Sequence, residues 1–243
     1  MVGKGRKGVR DLTVNQSNQE EFLSNIATRL GRERRTGVKP PIWNNKPYLH
    51  LYEGKTNEEL IEQFIDNLQL LNTNVDRITR QELDITLSRV LKDFEVKSAI
   101  SWDDPFLHEL GLTSLLSTNG VENSIWDNSL NEEERKQLSA KVDLGITCAD
   151  LGLAETGTVV LMNGGGRGRM VSLLPPFYLC IMPESRIGPR LTQAMELIHS
   201  KVPNGLPSCI NFITGPSRTA DIEMDLALGV HGPGKVHVIL LRE

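Results

Sequence analysis

The amino-acid sequence predicts an α/β fold built on a mixed, mostly parallel sheet that is buried on both faces. Short apolar segments alternate with amphipathic segments of about ten to seventeen residues that have helical spacing. The apolar segments, such as FYLCIMP and KVHVILL, are nearly continuous instead of alternating between apolar and polar residues. Continuous apolar strands separated by helices are typical of a parallel sheet with both faces covered. The length of 243 residues is sufficient to bury a substantial core.

The N-terminal part of the sequence lies outside this alternation. Its first residues are polar and basic. Ser17 and Glu20 have the spacing of a capping box, and apolar residues at helical spacing follow, which predicts an amphipathic helix over about 18–31. A proline-containing, extended connector comes next. We therefore predict a disordered basic tail at 1–17, the helix and connector at 18–54, and an α/β domain at 55–243.

The α/β domain begins with a capping box formed by Thr56 and Glu59, which predicts the start of a helix with one apolar face. The strands predicted after it are TNVDRI, KSAISW, NSIWD, LGITCAD, TGTVVLMN, FYLCIMP, SCINFIT and KVHVILL. The helices predicted between them are RQELDITLSRVLKDF, DDPFLHELGL, NEEERKQLSAKV and PRLTQAMELIHSKV. Only a glycine loop and a short segment separate TGTVVLMN from FYLCIMP, so we expect some antiparallel pairing there.

Composition and charge narrow the function classes. The net charge of −4 argues against nucleic-acid binding, which usually requires a basic domain. Cys148, Cys180 and Cys209 form no CxxC pair and lie in apolar surroundings, so we predict buried, reduced thiols and a cytoplasmic location. No apolar run reaches the ~20 residues that span a bilayer. Metal-ligand spacings and dinucleotide-loop motifs are missing, so no metal and no cofactor are predicted.

Three polar, glycine-containing stretches are predicted at strand ends, where open α/β sheets bind ligands. In ADLGLAETGTVV, Glu155 is a candidate nucleophile or general base, and a turn capped by its Glu and Thr side chains is the alternative. In NGGGRGRM, Gly164, Gly165, Gly166 and Arg167 are candidates for binding a phosphate or a carboxylate. A simple hairpin loop is the alternative for this second stretch.

The third stretch is GPSRTADIEM, followed by GVHGPGK. Gly215 ends a strand, and Ser217 or Thr219 is placed to cap a helix that begins near Ala220. We predict that Gly215, Ser217 and Thr219 contribute to anion binding. His231 is a candidate catalytic proton donor, with a purely structural role as the alternative. All three stretches are predicted to meet on one rim of the sheet and to form a common pocket for a small anion.

Several long segments carry a resemblance to a known family: GITCADLGLAETGTVVLMN, LLPPFYLCIMP and INFITGPSRTADIEMDLALGVHGPGKVHVILL. The sequence resembles the LUD domain family over roughly residues 18–243, and FLSNIATRLGRERR is similar to its lactate utilization protein C (LutC) branch. The resemblance implies a three-layer αβα fold of the NagB/RpiA/CoA transferase-like type. This arrangement is shared by ribose-5-phosphate isomerase, glucosamine-6-phosphate deaminase and CoA transferases.

The resemblance also implies a role in L-lactate oxidation to pyruvate, together with an iron–sulfur protein and a cysteine-rich protein. Three molecular roles stay open. The chain is an accessory subunit, a binding module that senses lactate or a nucleotide, or an enzyme acting on a small anion or on a CoA or phosphate ester. In the last case Glu155 is the nucleophile or base, by analogy with the glutamate of CoA transferases.

Overall fold

The computed structural model describes residues 12–35, 37, 39, 41, 49–219 and 227–242. The chain divides into two compact units, Met1–Leu51 and Tyr52–Glu243. The first unit contains helix α1 (Leu12–Arg29), which begins before the predicted capping residue Ser17. Ser17 is therefore inside the helix, because residues 12–16 include no glycine or proline that would stop the helix from extending. Residues 1–11 of the predicted tail lie outside the described ranges.

The second unit alternates strands and helices along the chain. Its strands are β1 (Asn74–Thr79), β2 (Ser98–Ser101), β3 (Glu122–Ile125), β4 (Leu144–Cys148), β5 (Leu151–Leu153), β6 (Thr158–Asn163), β7 (Phe177–Pro183), β8 (Ile187–Gly188), β9 (Cys209–Ile213), β10 (Arg218–Thr219), β11 (Ala227–Leu228) and β12 (Lys235–Arg242). Its helices are α2 (Asn57–Leu70), α3 (Leu83–Asp93), α4 (Pro105–Glu109), α5 (Leu112–Thr118), α6 (Glu132–Lys141), α7 (Met170–Leu173) and α8 (Leu191–Lys201).

A six-stranded sheet forms the centre of this unit, with the strand order β1-β12-β7-β4-β2-β3. All neighbouring strands in it are parallel. Every residue of β4 is buried, and β7 and β12 are buried along nearly their whole length. Since successive side chains of a strand point to opposite faces, both faces of the sheet are covered at these strands. The predicted α/β fold with a mostly parallel sheet is confirmed.

The start of α2 shows how the sequence signals operate locally. The backbone N–H of Glu59 donates to Thr56 Oγ1 at 3.2 Å, and the backbone N–H of Thr56 donates to Glu59 Oε2 at 2.7 Å. These two bonds form the predicted capping box. Four apolar residues of the helix are buried, namely Leu60, Ile61, Phe64 and Leu68. The capping box therefore defines where the helix begins, and the apolar face of the helix packs into the core.

A second, four-stranded sheet has the order β8-β5-β6-β9, in which β6 is antiparallel to both neighbours. The antiparallel pairing expected near TGTVVLMN therefore occurs, but its partners are β5 and β9. Strand β7 lies in the other sheet, where β4 and β12 occupy both of its edges. Strands β10 and β11, which lie before and after residues 220–226 in the sequence, form a short antiparallel pair. The helix predicted to begin near Ala220 lies outside the described residues.

No described helix has both the length and the apolar character that crossing a bilayer requires.

Gly145 in β4 lies very close to the backbone of helix α7. A methyl group at this position would overlap the carbonyl oxygen of Val171 in α7. We expect Gly145→Ala to lower the free energy of unfolding by about 1–3 kcal/mol, because sheet pairing prevents β4 from moving away. Urea unfolding followed by circular dichroism measures the change.

A matched control is Gly188→Ala in β8, where the nearest atom to the added methyl group is 3.6 Å away. Its expected effect is within about 0.5 kcal/mol. Equal losses for the two variants would show that the close approach at Gly145 is not the cause.

Candidate functional site

A cavity of about 390 Å³ lies beside the predicted glycine loop, which follows β6. This volume is within the range of sites that bind small organic ligands. Three arginines and one glutamate contribute charge to its lining, namely Arg135, Arg167, Arg169 and Glu132. Trp126, Asn163, Met170 and Cys209 line it as well, together with several of the loop glycines. The cavity is therefore the candidate functional site, with a predominantly positive lining.

The glycine loop itself is a tight hairpin turn. The backbone N–H groups of Gly164 and Arg167 each donate to the carbonyl oxygen of the other residue, both at 3.1 Å. Gly165 has a φ of 57°, which favours glycine. The backbone N–H of Asp103 donates to the Gly166 carbonyl at 3.0 Å, and a Cβ on Gly166 would overlap Asp103. The glycines thus permit the turn and its close contact with the chain after β2, as the hairpin alternative predicted.

Gly168 is also required for close packing. A Cβ at this position would overlap the indole ring of Trp126. The Nε1–H of Trp102 donates to the Gly168 carbonyl oxygen at 2.9 Å. Two tryptophans therefore fix the loop where it enters α7. Close contacts therefore explain Gly166 and Gly168, and positive φ values explain Gly164 and Gly165.

Arg167 is held by two carboxylates. Its Nε donates to Asp104 Oδ2 at 2.7 Å, and its Nη1 donates to Asp150 Oδ1 at 2.9 Å. Asp104 follows β2 and Asp150 follows β4, and these strands are parallel neighbours in the central sheet. Since two negative charges already surround one guanidinium, Arg167 offers no net positive charge to a ligand. Its anion-binding role stays a prediction, and these ion pairs weigh against it.

The carboxylate of Asp104 is charged although the residue is only 1% exposed. Burial alone would raise the pKa of Asp104, but Arg167, the thiol of Cys148 and the backbone N–H of Phe106 outweigh it and lower the pKa. Burial, reinforced by Asp104, raises the pKa of Cys148 well above its usual range. The Cys148 thiol therefore stays protonated, and its hydrogen bond with the ionised Asp104 is retained.

Glu155 lies at the opposite end of β6 from Arg167. Its backbone N–H donates to the Pro189 carbonyl at 2.9 Å, and its Oε2 is 3.2 Å from Arg190 Nε. Strand β6 separates the two segments, because Glu155 precedes Thr158 while Arg167 follows Asn163. At a rise of about 3.3 Å per residue, the ends of this strand are about 16 Å apart. The structure therefore does not bring Glu155 and Arg167 together.

The turn that carries Glu155 packs on helix α2 instead. Gly157 has a φ of 60°, and a Cβ there would lie 2.8 Å from the backbone nitrogen of Leu68. Thr158 Oγ1 is hydrogen-bonded to Thr214 Oγ1 at 2.8 Å, which joins this turn to the segment that begins at Gly215. Two of the three predicted stretches are therefore neighbours.

The third stretch and GVHGPGK also lie together. The backbone N–H of Ser217 donates to the Pro233 carbonyl at 2.9 Å, and that of Gly229 donates to the Ser217 carbonyl at 3.0 Å. Thr219 pairs with Ala227 in the β10–β11 ribbon, and the His231 side chain is exposed. These contacts give Ser217 and Thr219 structural roles in the backbone.

The predicted common pocket is not formed, because β6 places its two ends on different parts of the molecule. Gly164, Gly165 and Arg167 line the cavity. The predicted site residues outside its lining are Gly166, Gly215, Ser217, Thr219, Glu155 and His231. The catalytic and binding roles of these residues stay predictions.

Sequence reasoning missed the residues that build the cavity wall. Asp104 comes two residues after the predicted strand KSAISW, and Asp150 is the last residue of the predicted strand LGITCAD, so the strand-end rule that selected the other stretches also indicated them. Trp126 directly follows β3 and lies in the predicted strand NSIWD, so the same rule indicated it. Arg135 had no comparable signal, because it reaches the cavity from helix α6. Within the described ranges, no group of three or more His, Cys, Asp or Glu side chains is arranged to hold a metal ion.

Removal of the Arg167 guanidinium is expected to destabilise the fold. Arg167→Gln leaves the buried carboxylate of Asp104 without its cation, which costs about 3–5 kcal/mol in the free energy of unfolding. Urea unfolding measures the loss. Arg169→Gln, which alters an exposed arginine of the same cavity, is the control and is expected to stay within about 0.5 kcal/mol. A loss below about 1 kcal/mol for Arg167→Gln would contradict the structural role.

The same network predicts a pH dependence of stability. The pKa of Asp104 is lowered in the folded state, so its contribution is complete above the unfolded pKa of about 3.9 and is lost as pH falls through the folded value. We expect the unfolding midpoint of the wild type to fall more steeply below about pH 4 than that of Asp104→Asn. Parallel curves for the two proteins would mean that Asp104 does not supply this acid sensitivity.

Comparisons with known proteins identify the family. The model of the LUD domain family matches residues 61–241. Lactate utilization protein C 1 of Bacillus mycoides (strain KBAB4) is 44% identical over 227 residues, covering 92% of this chain and 97% of that protein. Lactate utilization protein C of Bacillus subtilis (strain 168) is 42% identical over 233 residues, covering 93% and 97%.

A solved structure supports the fold alone. The crystal structure of a DUF162 family protein from Deinococcus radiodurans superposes with a TM-score of 0.57 at 21% identity, and the match covers 77% of this chain and 99% of that one. The family match and the near-complete coverage of the curated relatives lead to one conclusion. The chain belongs to the LUD domain family.

Proposed function

We propose that this chain is a lactate utilization protein, a component of the system that oxidises L-lactate to pyruvate for growth on lactate. The observation that carries the proposal is the similarity to proteins named lactate utilization protein C along almost the whole of both chains. A shared fold alone would not support a shared role, since one fold hosts many functions. The proposal therefore depends on similarity over the full sequence.

We further propose that iron–sulfur and cysteine-rich partner proteins act with this chain and carry the electrons. The properties of the cysteines support this division. Burial raises the pKa of Cys148 well above its usual range and that of Cys180 to about 12. Because thiols bind metals as thiolates, both are poor candidates for cluster ligands. Free, buried thiols are also typical of reducing compartments, which supports a cytoplasmic location.

An enzyme of the CoA transferase-like type, with Glu155 as nucleophile or base, is the alternative. Its support is weaker, because Glu155 is outside the cavity and its carboxylate is 3.2 Å from Arg190 Nε. The carboxylate is therefore already engaged in an ion pair. We therefore place the accessory role first.

Growth experiments test the proposal. Deletion of the gene in the source organism is expected to abolish growth on L-lactate as sole carbon source while growth on glucose continues, and the wild-type gene is expected to restore it. Purification of the tagged chain from lactate-grown cells is expected to recover iron–sulfur proteins. Normal growth of the deletion strain on lactate would refute the role.

Complementation with Glu155→Gln separates the accessory role from the enzymatic alternative. Full growth on lactate is expected, because Glu155 does no chemistry in an accessory subunit. Loss of growth with an unchanged unfolding midpoint would instead support catalysis by Glu155.

A further inference from the structure

We propose that the cavity beside the glycine loop binds a small organic oxyanion, a carboxylate or a phosphate ester, through Arg135 and Arg169. Arg167 shapes the wall of the cavity and is not the ligand-binding cation. The inference goes beyond the lactate role and does not depend on it, because binding is a property of the purified chain.

Among the described residues, no carboxylate lies within ion-pair distance of Arg135, and Asp127 interacts with its charge only at longer range. Arg135 lies on α6 with its guanidinium carbon 5.5 Å from the centroid of the Trp126 ring. Its hydrogen bond to the Asn128 carbonyl is 3.5 Å long, at the limit for such bonds. Its Nε is buried and finds no acceptor in the described part of the chain. A guanidinium carries several N–H donors, so most of its bonding capacity is unused.

Arg169 adds a second positive charge to the cavity lining. Its side chain is exposed, and no carboxylate among the described residues pairs with it. Glu132 is the acid in the lining, and it lies in the first turn of α6, where a negative charge stabilises the helix. Since Arg167 is compensated by Asp104 and Asp150, the remaining charge of the lining is positive.

The shape of the cavity indicates an organic ligand instead of a bare ion. Its volume of about 390 Å³ is far larger than a single oxyanion requires. Trp126 and Met170 supply apolar surface next to the two arginines. Asn163 is already satisfied, because its Nδ2 donates to the Arg167 carbonyl and its Oδ1 accepts from Asn211. A ligand with an anionic end and a small apolar body fits this lining.

Cys209 provides a reporter for occupancy. It lines the same cavity and is half-buried, whereas Cys148 and Cys180, the two other cysteines of the sequence, are buried. An aromatic disulfide reagent is therefore expected to modify Cys209 first. Its rate is measured on the purified full-length chain against increasing L-lactate, pyruvate or inorganic phosphate at constant ionic strength. Titration calorimetry with the same probes gives an independent affinity.

At least one of the three probes is expected to slow the modification of Cys209 to a saturable limit. Arg135→Gln is expected to raise the half-saturating concentration by about tenfold or more, as the loss of a charge-assisted hydrogen bond predicts. Arg169→Gln is expected to raise it in the same direction. Lys136→Gln removes an exposed positive charge from the same helix outside the cavity lining and is expected to change the value less than about twofold.

Protection by phosphate alone would assign the site to phosphate esters, and protection by lactate or pyruvate would assign it to carboxylates. The inference is overturned if no probe protects Cys209, or if Arg135→Gln and Arg169→Gln bind as tightly as the wild type. If the chain binds a probe but the deletion strain grows normally on lactate, only the proposed function is refuted. Growth failure without binding would refute only this inference.

Discussion

The guanidinium of Arg167 joins the ends of two central strands to the loop that forms the cavity wall. Asp104 and Asp150 extend beyond β2 and β4, and both accept hydrogen bonds from Arg167. The remaining carboxylate oxygens are also satisfied, since Asp104 Oδ1 accepts from the Phe106 N–H and Asp150 Oδ2 accepts from the Met162 N–H. Buried charges are tolerated when each has its partners, and the loss of one partner exposes the full cost of burial.

This network determines which residues are available for function. A loop rich in glycine and arginine suggests a phosphate cradle, but here the glycines permit close contacts with Asp103 and Trp126. Arg167 in this loop is already paired with Asp104 and Asp150. What remains for a ligand are Arg135, which comes from a distant helix, and Arg169, which is exposed beside the loop. One of the two available cations, Arg135, therefore comes from outside the motif that draws attention to the cavity.

The fold was largely predictable because its signals are local. Continuous apolar runs and capping boxes identified the strands of the central sheet and helices such as α2. Strand β5 escaped because Leu151–Leu153 is too short to show periodicity. The assignment of β6 to a separate sheet depends on pairing with β9, whose residues lie about fifty positions further along the chain. The partners of Arg167 were hidden for the same reason, although their positions at or just beyond the ends of predicted strands were a usable signal.

A double-mutant cycle on Arg167→Gln and Asp104→Asn measures the central claim most directly. The free energies of unfolding of the wild type, the two single variants and the double variant give the coupling energy between the two side chains. We predict a coupling of about 2 kcal/mol or more, because the contact is buried and charge-assisted. A coupling below about 0.5 kcal/mol would show that the two residues act independently and that the loop is held in place by other contacts.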